Sequence, residues 1–182
     1  MILIHGRPLS ADSWDEVAMS LANAGYQTIA YDRRMLQTEN NPHGVPKATF
    51  DQMLKAMTSD RAAFFSSFFK DFFGVGMLSN PVSNELIEWT RAVGMQASLK
   101  ATVDCATAFA FTDFRSDLKS IQVPTLIIHG TADNTVPIDA TARVSASAIS
   151  KSTLIEYERA ARGLFATHRE RLTKDLLAFL KQ

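Results

Sequence analysis

Two short apolar runs, each closed by His-Gly, constrain the fold of this chain more than any other feature. They are Ile2-Leu3-Ile4-His5-Gly6 and Leu126-Ile127-Ile128-His129-Gly130. A strand buried on both faces needs an unbroken apolar run rather than an alternating one, and such strands build parallel sheets. The first run leads into a helical pattern. Ser13 and Glu16 stand at capping-box spacing, Trp14, Val17, Ala18 and Leu21 recur at helical intervals, and Gly25 provides a stop. Thr28-Ile29-Ala30-Tyr31 then reads as a second strand, closed by Asp32-Arg33-Arg34. Strand, helix and strand in that order form a parallel unit.

The last third returns to the same alternation. Val123-Pro124 leads into a strand at 125–129, and a loop from Gly130 to Val136 enters a helix with Pro137 near its first position. Thr153-Leu154-Ile155-Glu156-Tyr157 is the fourth strand. Thr167 and Glu170 make a second capping box, and Leu172, Leu176, Phe179 and Leu180 give the final helix its apolar stripe. Between these ends, residues 36–118 contain no convincing strand. A polar loop, Glu39-Asn40-Asn41-Pro42-His43-Gly44-Val45-Pro46, is followed by helical stretches predicted at about 48–57, 60–73, 83–95 and 97–110. Phe64, Phe65, Phe68, Phe69, Phe72 and Phe73 share one broad helical face. That face either packs a core or, through Phe64, Phe68 and Phe72, roofs an apolar substrate pocket. The expected organisation is α/β: a core from 1–35 and 119–182 with a mostly parallel sheet of about four strands, and a helical cap region over 36–118.

Composition excludes several classes of function. The 182 residues suit one domain, and 46% hydrophobic content argues against disorder. Nineteen basic and nineteen acidic side chains cancel, so no electrostatic pull toward nucleic acid or an anionic membrane is expected. No apolar run reaches bilayer length, and Met1 leads into the first strand without a basic export region. Cys105 is the single cysteine, which precludes an intramolecular disulfide and suits a reducing, cytoplasmic setting.

Five stretches in sequence order resemble the α/β-hydrolases that include bacterial aryl esterases and cofactor-free (non-haem) haloperoxidases. They are Ile4-His5-Gly6-Arg7-Pro8-Leu9, Ile29-Ala30-Tyr31-Asp32-Arg33-Arg34, Asn41-Pro42-His43-Gly44-Val45-Pro46, Thr112-Asp113-Phe114-Arg115 and the run from Val123 to Asp133. Together they touch every block of the chain. The resemblance implies a reduced α/β-hydrolase-like sheet with a helical cap, no cofactor, no metal, and small acyl or aryl esters or other apolar molecules as ligands. Members of the family use a Ser–His–Asp triad with backbone N–H groups holding the oxyanion. On that pattern Asp133 is the acid, and the Arg7 N–H is one oxyanion donor.

The other two triad members have no match. No Gly-x-Ser-x-Gly occurs in the chain: Arg34 runs through Met35 and Leu36 straight into the polar loop, where relatives place a helix and the nucleophile-bearing strand. The base position, after the last strand, reads Arg162 in Ala160-Ala161-Arg162-Gly163. A guanidinium stays charged at working pH and cannot act as a general base. A substitute constellation would need Asp133, His168 as base and Ser10 or Ser13 as nucleophile, all within hydrogen-bond reach. Against that, Ser13 reads as a helix cap, Ser10 as a loop residue, and the strand-end histidines as structural. Cys105, in a small and apolar helical run, reads as buried and inert. His5, His129, His168 and Asp133 have metal-ligand chemistry without ligand spacing. Three readings follow: weak or unconventional ester hydrolysis, a catalytically inactive relative that binds a small apolar ligand or a partner chain, and an excised product without an evolved function. Loss of central strands would also leave parallel edges for a homo-oligomer to pair.

Overall fold

The computed structural model describes Glu39, residues 41–111 and residues 115–181. The expected strands at 2–4 and 28–31, the helix after Ser13, and Arg7, Ser10, Asn40 and residues 112–114 of the sequence motifs lie outside the described residues. Elements are numbered in chain order among the described residues.

Four helices of equal length open the described chain: α1 (Lys47–Ser59), α2 (Arg61–Phe73), α3 (Asn84–Gln96) and α4 (Leu99–Phe111). Each begins within two residues of its predicted start, because local chemistry marks the boundaries. Asp60 caps α2 by accepting from the Ala63 N–H at 2.9 Å. Gly74 ends it in the left-handed conformation (φ 74°), its N–H returning to Asp71. Ser83 caps α3 by accepting from the Leu86 N–H at 3.2 Å. At the other end of α3, where the C-cap is Ala97 rather than glycine, Arg61 donates to the carbonyls of Ala97 (2.6 Å) and Met95 (2.9 Å).

The phenylalanine face of α2 is a packed core. Phe65, Phe69, Phe72 and Phe73 are buried together with Val82 and Ile87, and Phe165 from the C-terminal third meets Phe72 and Phe73 edge-on or tilted. Phe50 of α1 and Ala110 of α4 are buried against Val136, which follows the first strand. Cys105, expected to be buried, is exposed on α4. Its helix turns the small residues Thr102 and Ala110 inward instead.

A short helix, α5 (Arg115–Leu118), precedes β1 (Thr125–Gly130). The connection to β2 (Ser152–Tyr157) contains a 3-10 turn at Ile138–Ala140 and α6 (Ala142–Ala148). The single helix expected after Pro137 is thus split, with Thr141 between the parts in a non-helical conformation. β1 and β2 are parallel, in register from Thr125 opposite Ser152 to Gly130 opposite Tyr157. Alternate residues serve opposite faces, as the unbroken apolar runs require. Ile127 and Leu154 pack on Ile138, Ala142 and Ile149. Leu126, Ile128 and Ile155 pack on Leu172 and Leu176 of the last helix. No further strand is present among the described residues.

α7 (Leu164–Thr167) and α8 (Arg169–Leu180) complete the chain. The capping box expected from Thr167 and Glu170 does not form. Thr167 closes the preceding short helix, its hydroxyl donating back to the Gly163 carbonyl (3.1 Å), and His168 takes the N-cap position without a side-chain cap bond. α8 is held to the sheet by Tyr157, a fully buried ring whose hydroxyl donates to Asp175 at 2.6 Å, with the Arg171 guanidinium stacked 3.8 Å from its centroid. Burial first, and then the bond to Asp175, push the phenol's pKa well above its usual range.

Candidate functional site around Asp133

The two strand ends carry loops that lock together. The Thr131 N–H donates to the Tyr157 carbonyl (3.0 Å), the Ala132 N–H to the Ala160 carbonyl (2.9 Å), and the Arg159 N–H to the Thr131 hydroxyl (2.8 Å). Arg159 adopts a left-handed backbone (φ 58°) to make this crossing. The approach is so close that a Cβ on Gly130 would sit 2.2 Å from the Ala160 carbonyl oxygen. A second clamp ties the helical region to the same loop. The Gly163 N–H donates to the Phe72 carbonyl at 2.9 Å, and a Cβ on Gly163 would lie 2.3 Å from the Phe73 ring.

These clamps bring three of the side chains singled out in the sequence to one point. The Asp133 side chain is 2% exposed. Its Oδ1 accepts from the backbone N–H groups of Thr135 (2.9 Å) and Val136 (2.8 Å), an arrangement that fixes the loop. Its Oδ2 lies 3.3 Å from His129 Nε2 and 3.3 Å from Arg162 Nη1. His129 Nε2 is also 2.9 Å from the Val136 carbonyl, which can only accept, so this nitrogen carries the proton. Burial alone would raise the Asp133 pKa. The His129 hydrogen bond, the Arg162 charge and the Val136 N–H outweigh it, so the carboxyl is held below its ordinary value.

His168 is not among the contacts of Asp133. Its Nδ1 lies 2.8 Å from the Thr167 hydroxyl, and its ring packs edge-on against Tyr157 at 5.5 Å. Phe64 and Phe68 are half-buried and stack with centroids 5.6 Å apart, whereas Phe72 is buried inside the aromatic cluster. Arg7 and Ser10 lie outside the described residues. A groove along α8, lined by residues that include Lys174 and Leu177, contains none of the side chains that meet Asp133. The sequence groups His129 with Asp133 only as members of a metal-ligand set without ligand spacing, and gives Arg162 only as the replaced base; it does not bring the three together. The four-residue interval from His129 to Asp133 across a strand end was the available signal for part of it.

No protein-family model matches the chain. A Synechocystis protein that bears a provisional non-heme chloroperoxidase name is 32% identical, aligned over the whole of this chain and 91% of its own length. The chain belongs to the non-heme haloperoxidase and esterase group of α/β-hydrolases. That alignment runs over 251 positions, 69 more than this chain has residues. Within the same group, the bifunctional esterase/perhydrolase of Acinetobacter calcoaceticus is 36% identical over 149 residues, 81% of this chain and 54% of its own. The fold agrees: the crystal structure of bromoperoxidase from Bacillus anthracis superposes with a TM-score of 0.89 at 29% identity, covering 100% of this chain and 91% of that one. No helix among the described residues is long and apolar enough to cross a membrane.

Proposed function

We propose that this α/β-hydrolase binds small acyl or aryl esters, or related apolar molecules, and hydrolyses them weakly at most. The observation that carries this reading is the contact between Asp133 and Arg162. Asp133 stands where the family's acid stands, yet on the loop where the family carries its base its Oδ2 meets a guanidinium, and the one imidazole it also meets, His129, is shared with the Val136 carbonyl. Arg162 has no acceptor and does not lose its charge at working pH, so the pair can orient and polarise but cannot relay a proton. The absence of any Gly-x-Ser-x-Gly points the same way. Residual acceleration would come from polarising the ester carbonyl, with the Arg7 N–H as donor, rather than from covalent catalysis. Haloperoxidase chemistry in relatives would depend on the same missing serine.

The same contact supports a second reading, a catalytically inactive relative that binds a small apolar ligand or a partner chain. Turnover of short-chain p-nitrophenyl esters separates the two when combined with a serine-directed phosphonate and intact-mass analysis. Turnover clearly above protein-surface background supports the first reading, and a single covalent adduct would reveal a nucleophile in an unconventional place. Background turnover without adduct supports the second.

The proposal includes a cytoplasmic setting, consistent with one unpaired cysteine, and self-association through strand edges left by the shortened centre. A monomer by light scattering at micromolar concentration would remove the self-association.

A further inference from the structure

The turn between α2 and α3 carries the two most exposed large apolar side chains among the described residues. Met77 is 100% exposed and Leu78 99%, against 65% for Val123, the next in order. Single apolar residues at a surface are common, but two adjacent ones held wholly in water are not accounted for by folding. The fold itself sets this exposure. The Gly76 N–H donates to the Ser79 carbonyl at 2.8 Å and the Ser79 N–H returns to the Gly76 carbonyl at 3.4 Å, closing a tight turn with Met77 and Leu78 at its tip. Both roots are anchored. Val75 and Val82 pack into the aromatic cluster of α2, and the Val75 N–H donates to the Lys70 carbonyl at 2.8 Å. From Phe72 to Asn84 no residue is charged, in a chain whose charged fraction is 21%. The tip is thus apolar, and Ser79, Asn80, Ser83 and Asn84 beside it are polar without charge.

Size and charge decide what such a tip can meet. Two side chains offer roughly 200 Å² of apolar surface, whereas a stable protein interface takes roughly 800 Å² from each partner. A convex tip pressed against a second copy falls well short of that. A lipid interface demands neither large area nor complementary shape: apolar side chains enter the acyl boundary while hydrogen-bonding groups stay among the headgroups. Desolvating a charge would oppose such insertion, and this segment holds none. We propose that the Met77–Leu78 turn is a shallow, reversible contact point for a neutral lipid surface with zwitterionic headgroups. A net charge of zero suits a neutral surface rather than an anionic one. The root of the turn lies against the loop that carries Arg162, since a Cβ on Gly74 would come within 2.9 Å of the Ala161 side chain. Contact through the tip therefore sets that loop beside a phase in which apolar esters concentrate. The lipid contact goes beyond the ester reading and does not rest on it.

The test is co-sedimentation of the full chain with phosphatidylcholine vesicles at millimolar lipid. The wild type should bind, and its bound fraction should stay constant from about 0.05 to 0.5 M salt because no charge is involved. The double variant Met77→Ser, Leu78→Ser should partition at least about tenfold more weakly, since each large apolar side chain taken fully out of water contributes about that factor. Its unfolding midpoint should match the wild type, because neither side chain packs against anything in the folded state. Leu78→Trp should bind at least as tightly, and its emission should shift to the blue on vesicles, a gain that misfolding of the serine variant cannot mimic. Equal partitioning of wild type and double variant overturns the proposal, as does binding that disappears at high salt. A lower light-scattering mass for the double variant, with vesicle binding unchanged, assigns the turn to a protein contact and overturns it too. None of these outcomes bears on ester turnover, so the two readings fail separately.

Discussion

The helical region from α1 to α4 and the loop junction around Asp133 are held together in different ways. In the first, stability comes from apolar burial repeated over many side chains: Phe65 and Phe69 are fully buried, and each ring touches several others. In the second, few apolar groups are involved. Backbone donors, two glycines at positions with no room for a Cβ, and one shared carboxylate fix the geometry. Distributed packing spreads stability over many side-chain contacts, whereas a junction of this kind depends on single atoms. The site lies in the second region and leans on the first through the bond from Gly163 to Phe72.

The largest expected effect tests the packed region. Phe69→Ala removes a ring that is fully buried, and the cavity should cost about 3–5 kcal/mol of unfolding free energy, measured by urea titration. A loss below about 1 kcal/mol would mean that α2 repacks freely and that the aromatic face is not a core. Gly130→Ala tests the junction at a similar scale with one methyl group. The new Cβ would meet the backbone oxygens of Ala160 and Ala161 at 2.2 and 2.5 Å, which no rotamer change can relieve. We expect a loss of about 3 kcal/mol, at the upper end for overpacking. The same substitution at Gly76, where a Cβ meets nothing, serves as the control.

The helical region was largely legible in the sequence, and the junction was not. Period and capping residues are local signals: Asp60, Gly74 and Ser83 mark their helix ends within a few residues of the chain, so the four helices fall where predicted. The two C-terminal strands were equally visible as unbroken apolar runs. The Arg162–Asp133 contact spans 29 residues, and the Gly163 approach to Phe73 spans two separate parts of the chain. No local pattern encodes either. The failed capping box is instructive because Thr167 and Glu170 have the right spacing. The Thr167 hydroxyl instead donates to Gly163, a bond that exists only because Gly163 is itself pinned to Phe72.

Asp133→Asn is expected to cost about 2 kcal/mol at neutral pH, the range for hydrogen bonds to a buried charged group. Its pH dependence has a definite sign. The folded-state pKa of Asp133 is lowered, so its stabilisation is complete above the ordinary carboxylate pKa and is lost as pH falls through the lower folded value. The difference between wild type and variant should therefore shrink with acid. A difference that stays constant from neutral pH to about pH 3, below the unperturbed value, would show that the carboxylate charge contributes nothing. Arg159→Gly should have a smaller effect of opposite sign. The left-handed backbone at Arg159 favours glycine, and the N–H to Thr131 is retained, so a gain of about 0.5–1 kcal/mol is expected.

The smallest expected effect is the most diagnostic for chemistry. Arg162→His places an imidazole on the loop that already reaches Asp133, so the acid and base of the family's triad would again stand side by side. A base accelerates ester hydrolysis only when a positioned hydroxyl gives it a proton, and no nucleophile elbow exists in this chain. Turnover of p-nitrophenyl acetate should stay at the wild-type level, within about twofold, with no new phosphonate adduct. A rise of about tenfold or more, the lower part of what a positioned base contributes, would mean that a hydroxyl already faces the site. Ser10 would be the first residue to examine by peptide mapping. The Asp133–Arg162 pair would then be the element that silences a working hydrolase rather than one that belongs to a binding site.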